Sequence, residues 1–106
     1  MQKVVNRRKD REEVYIGRGS KWGNPFKVGE HGAKGECVQL FTEWICRGEG
    51  RYLLNQLGEL EGKTLGCYCA PKGGTDHTHR PWVCHGQVLL ALLQHRRAKL
   101  SRRAAA

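Results

Sequence analysis

The sequence lacks any long hydrophobic run. No apolar stretch among its 106 residues approaches the ~20 residues that a membrane-spanning helix needs. The opening residues, MQKVVNRRKD, also lack the apolar segment that forms the centre of a signal peptide. We therefore expect a cytoplasmic protein that does not bind membranes.

The sequence also lacks an even set of cysteines. It has five, and an odd number cannot form a complete disulfide framework within one chain. Thiols in the cytoplasm stay reduced. These cysteines are therefore expected to bind a metal, to react as thiols or to pack in the core.

Apolar residues are somewhat scarce, at 39% of the chain. The length suits one compact domain, but its core must be small, so a metal or a partner would help to stabilise it. We assign residues 1–97 to a single domain and residues 98–106 to a disordered basic tail. The sequence leaves the oligomeric state open.

Acidic residues are few, at 10 against 19 Lys and Arg, which gives a formal net charge of +9. Much of the excess lies in two basic clusters, Lys3–Arg11 and Arg96–Arg103. Such clusters attract the phosphates of nucleic acids. They are equally typical of a basic tail or a solvated face, and both interpretations stay open.

Hydrophobic patterning predicts a small α/β domain. Short runs of β-branched and aromatic residues indicate strands, and apolar residues at helical spacing indicate helices. The predicted strands cover residues 3–6, 14–16 and 63–68, and the predicted helices cover residues 35–47, 50–58 and 84–97. Because helices connect the strands, we expect a few-stranded, mainly parallel sheet flanked by about three helices.

Two unusual loops each follow a strand and precede a helix in this order. The loop at 17–26 is rich in glycine, and the loop at 67–86 holds cysteines and histidines. In open parallel sheets, ligands bind beyond the carboxyl ends of the strands. We therefore expect the two loops to face each other across one cleft.

The glycine-rich loop combines flexible backbone, hydrogen-bond donors and aromatic rings, but it lacks the GKS or GKT ending of a P-loop. These residue types suit a phosphate-bearing ligand, either a nucleotide or a nucleic-acid end. Arg18 and Lys21 would neutralise the phosphate, and Ser20 and Asn24 would orient it. The candidate ligand-binding residues are Arg18, Gly19, Ser20, Lys21, Trp22, Gly23, Asn24 and, across the cleft, Cys69.

The segment LGCYCAPKGGTDHTHRPWVCHGQ holds three cysteines and three histidines. Cys67 and Cys69 leave the same face of a predicted strand, and three thiolates with one imidazole form an acceptable tetrahedral zinc set. Because neighbours on a helix do not face each other, geometry alone favours a fourth ligand outside the last helix. The candidate zinc ligands are Cys67, Cys69, Cys84 and His85, with His77 or His79 as the alternative fourth ligand.

The same segment suits thiol chemistry. Cys84 lies at the predicted N-terminus of the last helix, where the helix dipole lowers a thiol pKa. It would then be the nucleophile of an enzyme, and His85 would be its acid or base. A further alternative is a non-catalytic protein- or nucleic-acid-interaction module with a structural zinc site.

Several motifs together resemble a known family. VVNRR, YIGRGSKWGNPF, GKTLGCYCAP and VCHGQVLLALL are similar to the bacterial and bacteriophage family called domain of unknown function 4326, over about residues 3–94. The resemblance implies no activity. Since its segment between C-x-C and CHG varies in length, it favours His85 over His77 and His79 as a ligand. A phage-encoded member would have a host protein as a possible partner.

A second, shorter likeness concerns only the cysteines and the histidine. A cysteine at the end of a strand, followed by Cys-His at the start of a helix, is also similar to domain of unknown function 488. This likeness covers a small part of the chain.

Overall fold

A computed structural model describes residues 2–105 and shows a three-stranded sheet flanked by helices. The strands are β1 (Val4–Asn6), β2 (Val14–Tyr15) and β3 (Leu65–Cys67). The helices are α1 (Lys34–Arg47), a 3₁₀ helix (Glu49–Leu60) and α2 (His85–Ala105). This architecture confirms the predicted small α/β domain.

The middle strand of the sheet comes last in the sequence. The strand order is β1-β3-β2, and both pairs of neighbours are parallel. The crossover from β2 to β3 passes through α1 and the 3₁₀ helix, which agrees with the rule that parallel neighbours need a long connection. Asn6, Tyr15 and Cys67 therefore end their strands at the same edge of the sheet.

One hydrophobic core lies between the sheet and the helices. The predicted apolar stripe of α1 is buried, since Cys37, Val38, Phe41 and Ile45 all face inward. Leu54 of the 3₁₀ helix is only partly buried. The 3₁₀ helix contributes Leu53, Leu57 and Leu60 to the core. The first turns of α2 contribute Val88, Leu89, Leu90 and Leu93.

The segment predicted as a helix at 50–58 is a 3₁₀ helix from Glu49 to Leu60. Gly50 and Gly58 lie within it, and glycine disfavours a regular α-helix. Gly50 also packs against Trp44, because a Cβ at this position would lie 2.6 Å from the indole ring. The type of helix is therefore decided by packing against α1 as well as by propensity.

Helix α2 was predicted to end near Arg97 but continues to Ala105. The residues beyond Arg97 are mostly Ala, Lys, Leu and Arg, which have high helix propensity. Ala106 lies outside the described residues, and the assignment of 98–106 to a separate tail stays a prediction. Among residues 2–105, none of the helices combines the length and the apolar character that crossing a membrane requires.

Gly86 allows α2 to approach the sheet closely. A Cβ there would lie 2.6 Å from Cγ2 of Val4 and 2.9 Å from Cδ1 of Ile16. We predict that Gly86→Ala lowers the free energy of unfolding by about 1–3 kcal/mol, because it overpacks this contact. Urea denaturation measures the change.

Gly35→Ala is the matched control for this prediction. Gly35 lies in the first turn of α1, and a Cβ there would have no neighbour within 4 Å. The control should be neutral or up to about 1 kcal/mol more stable, since alanine favours helix. Equal effects of the two substitutions would contradict the close approach of α2.

Candidate metal centre and cleft

Three thiols and one imidazole converge at the carboxyl edge of the sheet. Cys67 ends β3, Cys69 follows two residues later, and Cys84 and His85 stand at the start of α2. Each pair of sulfur atoms is 2.9–3.0 Å apart, and Sγ of Cys69 lies 3.7 Å from Nδ1 of His85. All four ligand atoms lie within 4.8 Å of one another. This Cys₃His set is one of those that bind structural zinc.

The three cysteines of the cluster are not joined by disulfide bonds. The separations of 2.9–3.0 Å are much longer than an S–S bond of ~2.04 Å, and all three cysteines are free. Tetrahedral zinc with Zn–S bonds of ~2.3 Å holds its sulfurs roughly 3.8 Å apart. A bound zinc ion would therefore spread the sulfurs by less than about 1 Å.

The imidazole of His85 is oriented by the backbone. Its Nε2 lies 2.8 Å from the carbonyl oxygen of Ile16. Because a carbonyl only accepts hydrogen bonds, Nε2 donates to it, and Nδ1 is the ring nitrogen that faces the sulfurs. The buried ring also packs edge-on against Phe41, with 5.1 Å between ring centroids. Histidine ligands of metals typically donate their other N–H to such a carbonyl.

Geometry alone favoured a fourth ligand outside the last helix, but the structure brings Cys84 and His85 to the same cluster. Cys84 precedes the first residue of α2, so its side chain does not follow the helical rotation. Its Sγ accepts the N–H of Gly86 at 3.3 Å, as an N-cap residue does. The backbone N–H of Cys84 in turn donates to Oε1 of Gln87 at 3.1 Å. These reciprocal bonds are the pattern of a capping box, with cysteine in the place of serine.

Gln87 is a buried residue that sequence reasoning missed. Its Oε1 also accepts the N–H of Val83 at 2.7 Å, and its Nε2 donates to the carbonyls of Asp76 and His79 at 2.9 and 3.1 Å. The amide thus fastens the cysteine–histidine loop to α2. The spacing C-x-x-Q before an apolar helix is the signal that would have found it.

The structure places His85, and neither His77 nor His79, in the ligand cluster of the described residues. His79 is exposed, with Nδ1 at 3.3 Å from Oδ1 of Asp76. The backbone carbonyl of His77 accepts a hydrogen bond from Nε1 of Trp82 at 3.0 Å. Both histidines thus shape the loop at a distance from the sulfurs.

Contacts among the three thiols shift their pKa values in opposite directions. The hydrogen bond with Cys67, followed by that with Cys84, holds the pKa of the Cys69 thiol far below its usual value, and His85 adds to this effect. The hydrogen bond with Cys69 is the main cause that raises the pKa of Cys67 to about 12. The contact with Cys67 is likewise the first of the causes that raise the pKa of Cys84.

A cleft of about 560 Å³ opens beside the cluster. It lies between the two loops, as expected from the strand order. The glycine-rich loop contributes Gly17, Arg18 and Asn24 to one wall. The opposite wall is formed by the strand end and the helix start, through Cys67, Tyr68, Cys69 and His85.

Most of the charged residues that line the cleft are basic. The lining has three basic residues, Arg18, Lys27 and Lys34, and one acidic residue, Glu30. Lys27 forms a loose, exposed ion pair with Glu30 at 4.0 Å. The side chains of Arg18 and Lys34 make no hydrogen bond or ion pair with another described residue, so both can meet an anion.

Two predicted ligand-binding residues point away from the cleft. Trp22 is buried in the hydrophobic core. The ammonium of Lys21 turns toward the 3₁₀ helix, where it contacts Glu59 at 2.6 Å and Gln56 at 2.5 Å. A large apolar ring gains more from burial than from exposure, and Lys21 pairs with the carboxylate it can reach. The cleft is lined by neither residue.

Other residues of the glycine-rich loop support its shape. Oγ of Ser20 donates to the carbonyl of Gly17 at 2.7 Å. Asn24 lines the cleft, but Oδ1 accepts the N–H of Phe26 and Nδ2 donates to the carbonyl of Cys37. Gly19 and Gly23 belong to the turns of this loop and do not line the cleft. Of the predicted contacts in this loop, Arg18 is therefore the strongest candidate.

The position of Cys84 does not favour its role as a nucleophile. The residue is fully buried and is not part of the cleft lining, because its sulfur caps α2. The thiol nearest to Nδ1 of His85 is that of Cys69, at 3.7 Å. The predicted pair of Cys84 and His85 thus shares a cluster that could hold a metal ion, and only His85 of the two lines the cleft.

The fold and the site define a class of small α/β domains with a Cys₃His cluster at the carboxyl edge of the sheet. The family described as Domain of unknown function (DUF4326) matches residues 1–95. The chain therefore belongs to this family, which confirms the resemblance seen in its motifs. The likeness to domain of unknown function 488 stays a prediction.

Two viral proteins are similar to the chain. Uncharacterized protein R718 of Acanthamoeba polyphaga mimivirus is 30% identical over 90 residues, which cover 76% of this chain and 65% of that protein. The chain thus spans slightly less than two thirds of this relative. The uncharacterized 12.4 kDa protein in the nrdA-td intergenic region of Enterobacteria phage T4 is 32% identical over 89 residues, covering 82% and 72%. No solved structure matches the chain.

The buried amide of Gln87 gives a prediction for stability. Gln87→Ala removes the acceptor for two backbone N–H groups and leaves two carbonyls without their donor. We expect a loss of about 2–4 kcal/mol, since unsatisfied buried groups cost about 1–3 kcal/mol each and relax in part. Gln94→Ala, at an exposed position of α2, should change stability by less than about 0.5 kcal/mol. Similar losses in urea denaturation would contradict the role of Gln87.

Proposed function

We propose that this chain is an α/β domain stabilised by one structural zinc ion, whose cleft binds a phosphate-bearing ligand. The ligand is a nucleotide or a nucleic-acid end. The observation that carries the proposal is the shared wall: Cys67, Cys69 and His85 belong both to the Cys₃His cluster and to the cationic cleft. The ion would thereby hold one wall of the binding site in place.

The ligand set favours zinc in a structural role. Thiolates and imidazole select zinc over magnesium or calcium, which prefer oxygen ligands. Four protein ligands also complete a tetrahedron and leave no open position for a reacting water. The small core of the domain makes such an ion useful, because it would link β3 to α2.

The charges of the cleft support an anionic ligand. Zinc with three thiolates and a neutral imidazole carries one formal negative charge. Together with Glu30 this makes two negative groups, which the three cations of the cleft still outnumber. The phosphate should therefore contact Arg18 and Lys34, at a distance from the sulfurs.

The metal part of the proposal predicts about one zinc ion per chain, measured by mass spectrometry of the purified protein. Cys69→Ser should lower the zinc content severalfold and reduce the melting temperature, because it removes one of four ligands. Chelation should destabilise the wild-type chain in the same way.

Cys46→Ser is the matched control for the zinc prediction. Cys46 is a free, partly buried cysteine on α1, outside the cluster. This variant should keep the metal and its response to a chelator. Zinc-free protein, or equal metal content in the two variants, would contradict a zinc site at the cluster.

If the cleft binds nucleotides, they should change the melting temperature of the protein. A nucleoside 5′-monophosphate and a 5′-phosphorylated dinucleotide should each raise it, since ligands of the folded state stabilise it by mass action. Arg18→Ala should weaken binding roughly 10- to 100-fold, as expected for one hydrogen-bonded charge. Titration calorimetry measures the affinity.

Lys99→Ala is the matched control for Arg18→Ala, because it removes one positive charge far from the cleft. Lys99 lies on α2 about 21 Å beyond His85, at 1.5 Å per residue, and this variant should bind like the wild type. The phosphate-binding role of the cleft is wrong if neither ligand changes the melting temperature of the wild-type chain. It is equally wrong if Arg18→Ala and Lys99→Ala weaken binding to the same extent.

A further inference from the structure

The three parallel strands deliver aromatic and basic residues to the same edge that carries the cluster. Arg7 and Arg8 follow β1 directly, Tyr15 ends β2, and Tyr68 follows β3. We name these four residues the tyrosine–arginine patch. They come from the ends of three strands, which the sheet brings side by side, and Tyr68 is more than 50 residues from the other three.

The patch is held together by stacking contacts. The guanidinium of Arg8 lies 5.1 Å from the ring centroid of Tyr68, and that of Arg7 lies 4.5 Å from the ring centroid of Tyr15. The two tyrosine rings meet edge to face, with centroids 6.2 Å apart. The patch therefore places positive charge directly against two aromatic rings.

Asn6 fixes the backbone beneath the patch. Its Oδ1 accepts the N–H of Arg8 at 2.9 Å, and its Nδ2 donates to the carbonyl of Tyr68 at 3.3 Å and to that of Ala70 at 2.9 Å. One side chain thus ties the segment after β1 to the segment after β3. Arg8 and Tyr68 are positioned before any ligand arrives.

The patch joins two concave surfaces. Tyr68 lines the cleft, whereas Arg7 and Arg8 line a shallow depression of about 430 Å³ formed by residues 7–12. That depression has four basic residues against two acidic ones, Asp10 and Glu12. Glu12 is already paired with Arg7 at 3.0 Å. A ligand longer than one nucleotide could pass from the cleft over Tyr68 and Arg8 into the depression.

The exposed hydrophobic side chains of the cleft favour a ligand that contains a nucleotide base. Four large hydrophobic side chains are exposed among the described residues, and two of them, Val28 at 63% and Tyr68 at 52%, line this cleft. A purely ionic ligand would not need them. A nucleotide presents both a phosphate and a flat base, which matches cations beside an exposed aromatic ring.

We infer that this edge of the sheet binds a single-stranded nucleic acid. One nucleotide lies in the cleft with its base against Tyr68, and the neighbouring phosphates lie over Arg8 and the depression. The inference rests on the proposed function, since it uses the same cleft. Bases inside a duplex are stacked on each other and cannot stack on a protein ring, so the strand must be single.

Fluorescence anisotropy with a labelled ten-nucleotide oligothymidine tests the inference on the full-length, zinc-containing chain. The single strand should bind at least about ten-fold more tightly than thymidine monophosphate or the oligothymidine–oligoadenosine duplex, because only it can both stack on Tyr68 and reach the depression. A ribose version of the oligonucleotide distinguishes RNA from DNA as the source, and binding of either supports the inference. Equal affinity for single strand and duplex would overturn it.

Substitutions of Tyr68 test the stacking contact. Tyr68→Ala should weaken binding of the oligonucleotide about ten-fold or more, whereas Tyr68→Phe should bind nearly as well as the wild type. Tyr52→Ala is the matched control, because Tyr52 is exposed to 57% on the 3₁₀ helix and does not line the cleft. Equal losses for Tyr68→Ala and Tyr52→Ala would overturn the inference.

The salt dependence of binding tests the basic residues. Arg8→Ala should reduce the slope of log affinity against log salt concentration by about 0.7, the value for one phosphate of a single strand. Lys99→Ala should leave the slope unchanged. Equal reductions in both variants would show that charge alone attracts the strand, and this would overturn the assignment to the patch.

The outcomes separate this inference from the proposed function. Mononucleotide binding that depends on Arg18, without tighter binding of the oligonucleotide and without an effect of Tyr68→Ala, would overturn the inference and leave the proposed function intact. Absence of binding to every mononucleotide and oligonucleotide would overturn both.

Discussion

The hydrogen bond between Nε2 of His85 and the carbonyl of Ile16 is the contact on which the site depends. It orients the imidazole ring and aims Nδ1 at the sulfurs. It also joins the start of α2 to the residue that follows β2, where the glycine-rich loop begins. A metal at the sulfurs would thereby be connected to both walls of the cleft.

The four residues CHGQ at the start of α2 each make a contact that holds the site together. Cys84 caps the helix and joins the sulfur cluster, while His85 completes the ligand set. Gly86 permits close contact with the sheet, and Gln87 holds the cysteine–histidine loop. Since each residue makes a different contact, the motif combines helix capping, close packing on the sheet and two candidate metal ligands within one turn.

Several parts of the fold and site were predictable because they depend on local pattern. The stripe of α1 follows helical spacing, and the strands follow β-branched residues, so their positions agree with the structure to within two or three residues. The convergence of two loops followed from the parallel topology. Lys21 and Trp22 were misplaced because composition cannot tell which members of a loop face a ligand and which face the core or a nearby carboxylate.

The sequence by itself determined the class of fold and the chemistry of the candidate ligands, because hydrophobic period and residue type are local properties. Only the tertiary structure decided that His85, and not His77 or His79, faces the sulfurs, since that choice depends on the carbonyl of Ile16, 69 residues away in the chain. The tyrosine–arginine patch could not be inferred from the sequence either. Its members follow three different strands, and only the pairing of β3 between β1 and β2 brings them into contact.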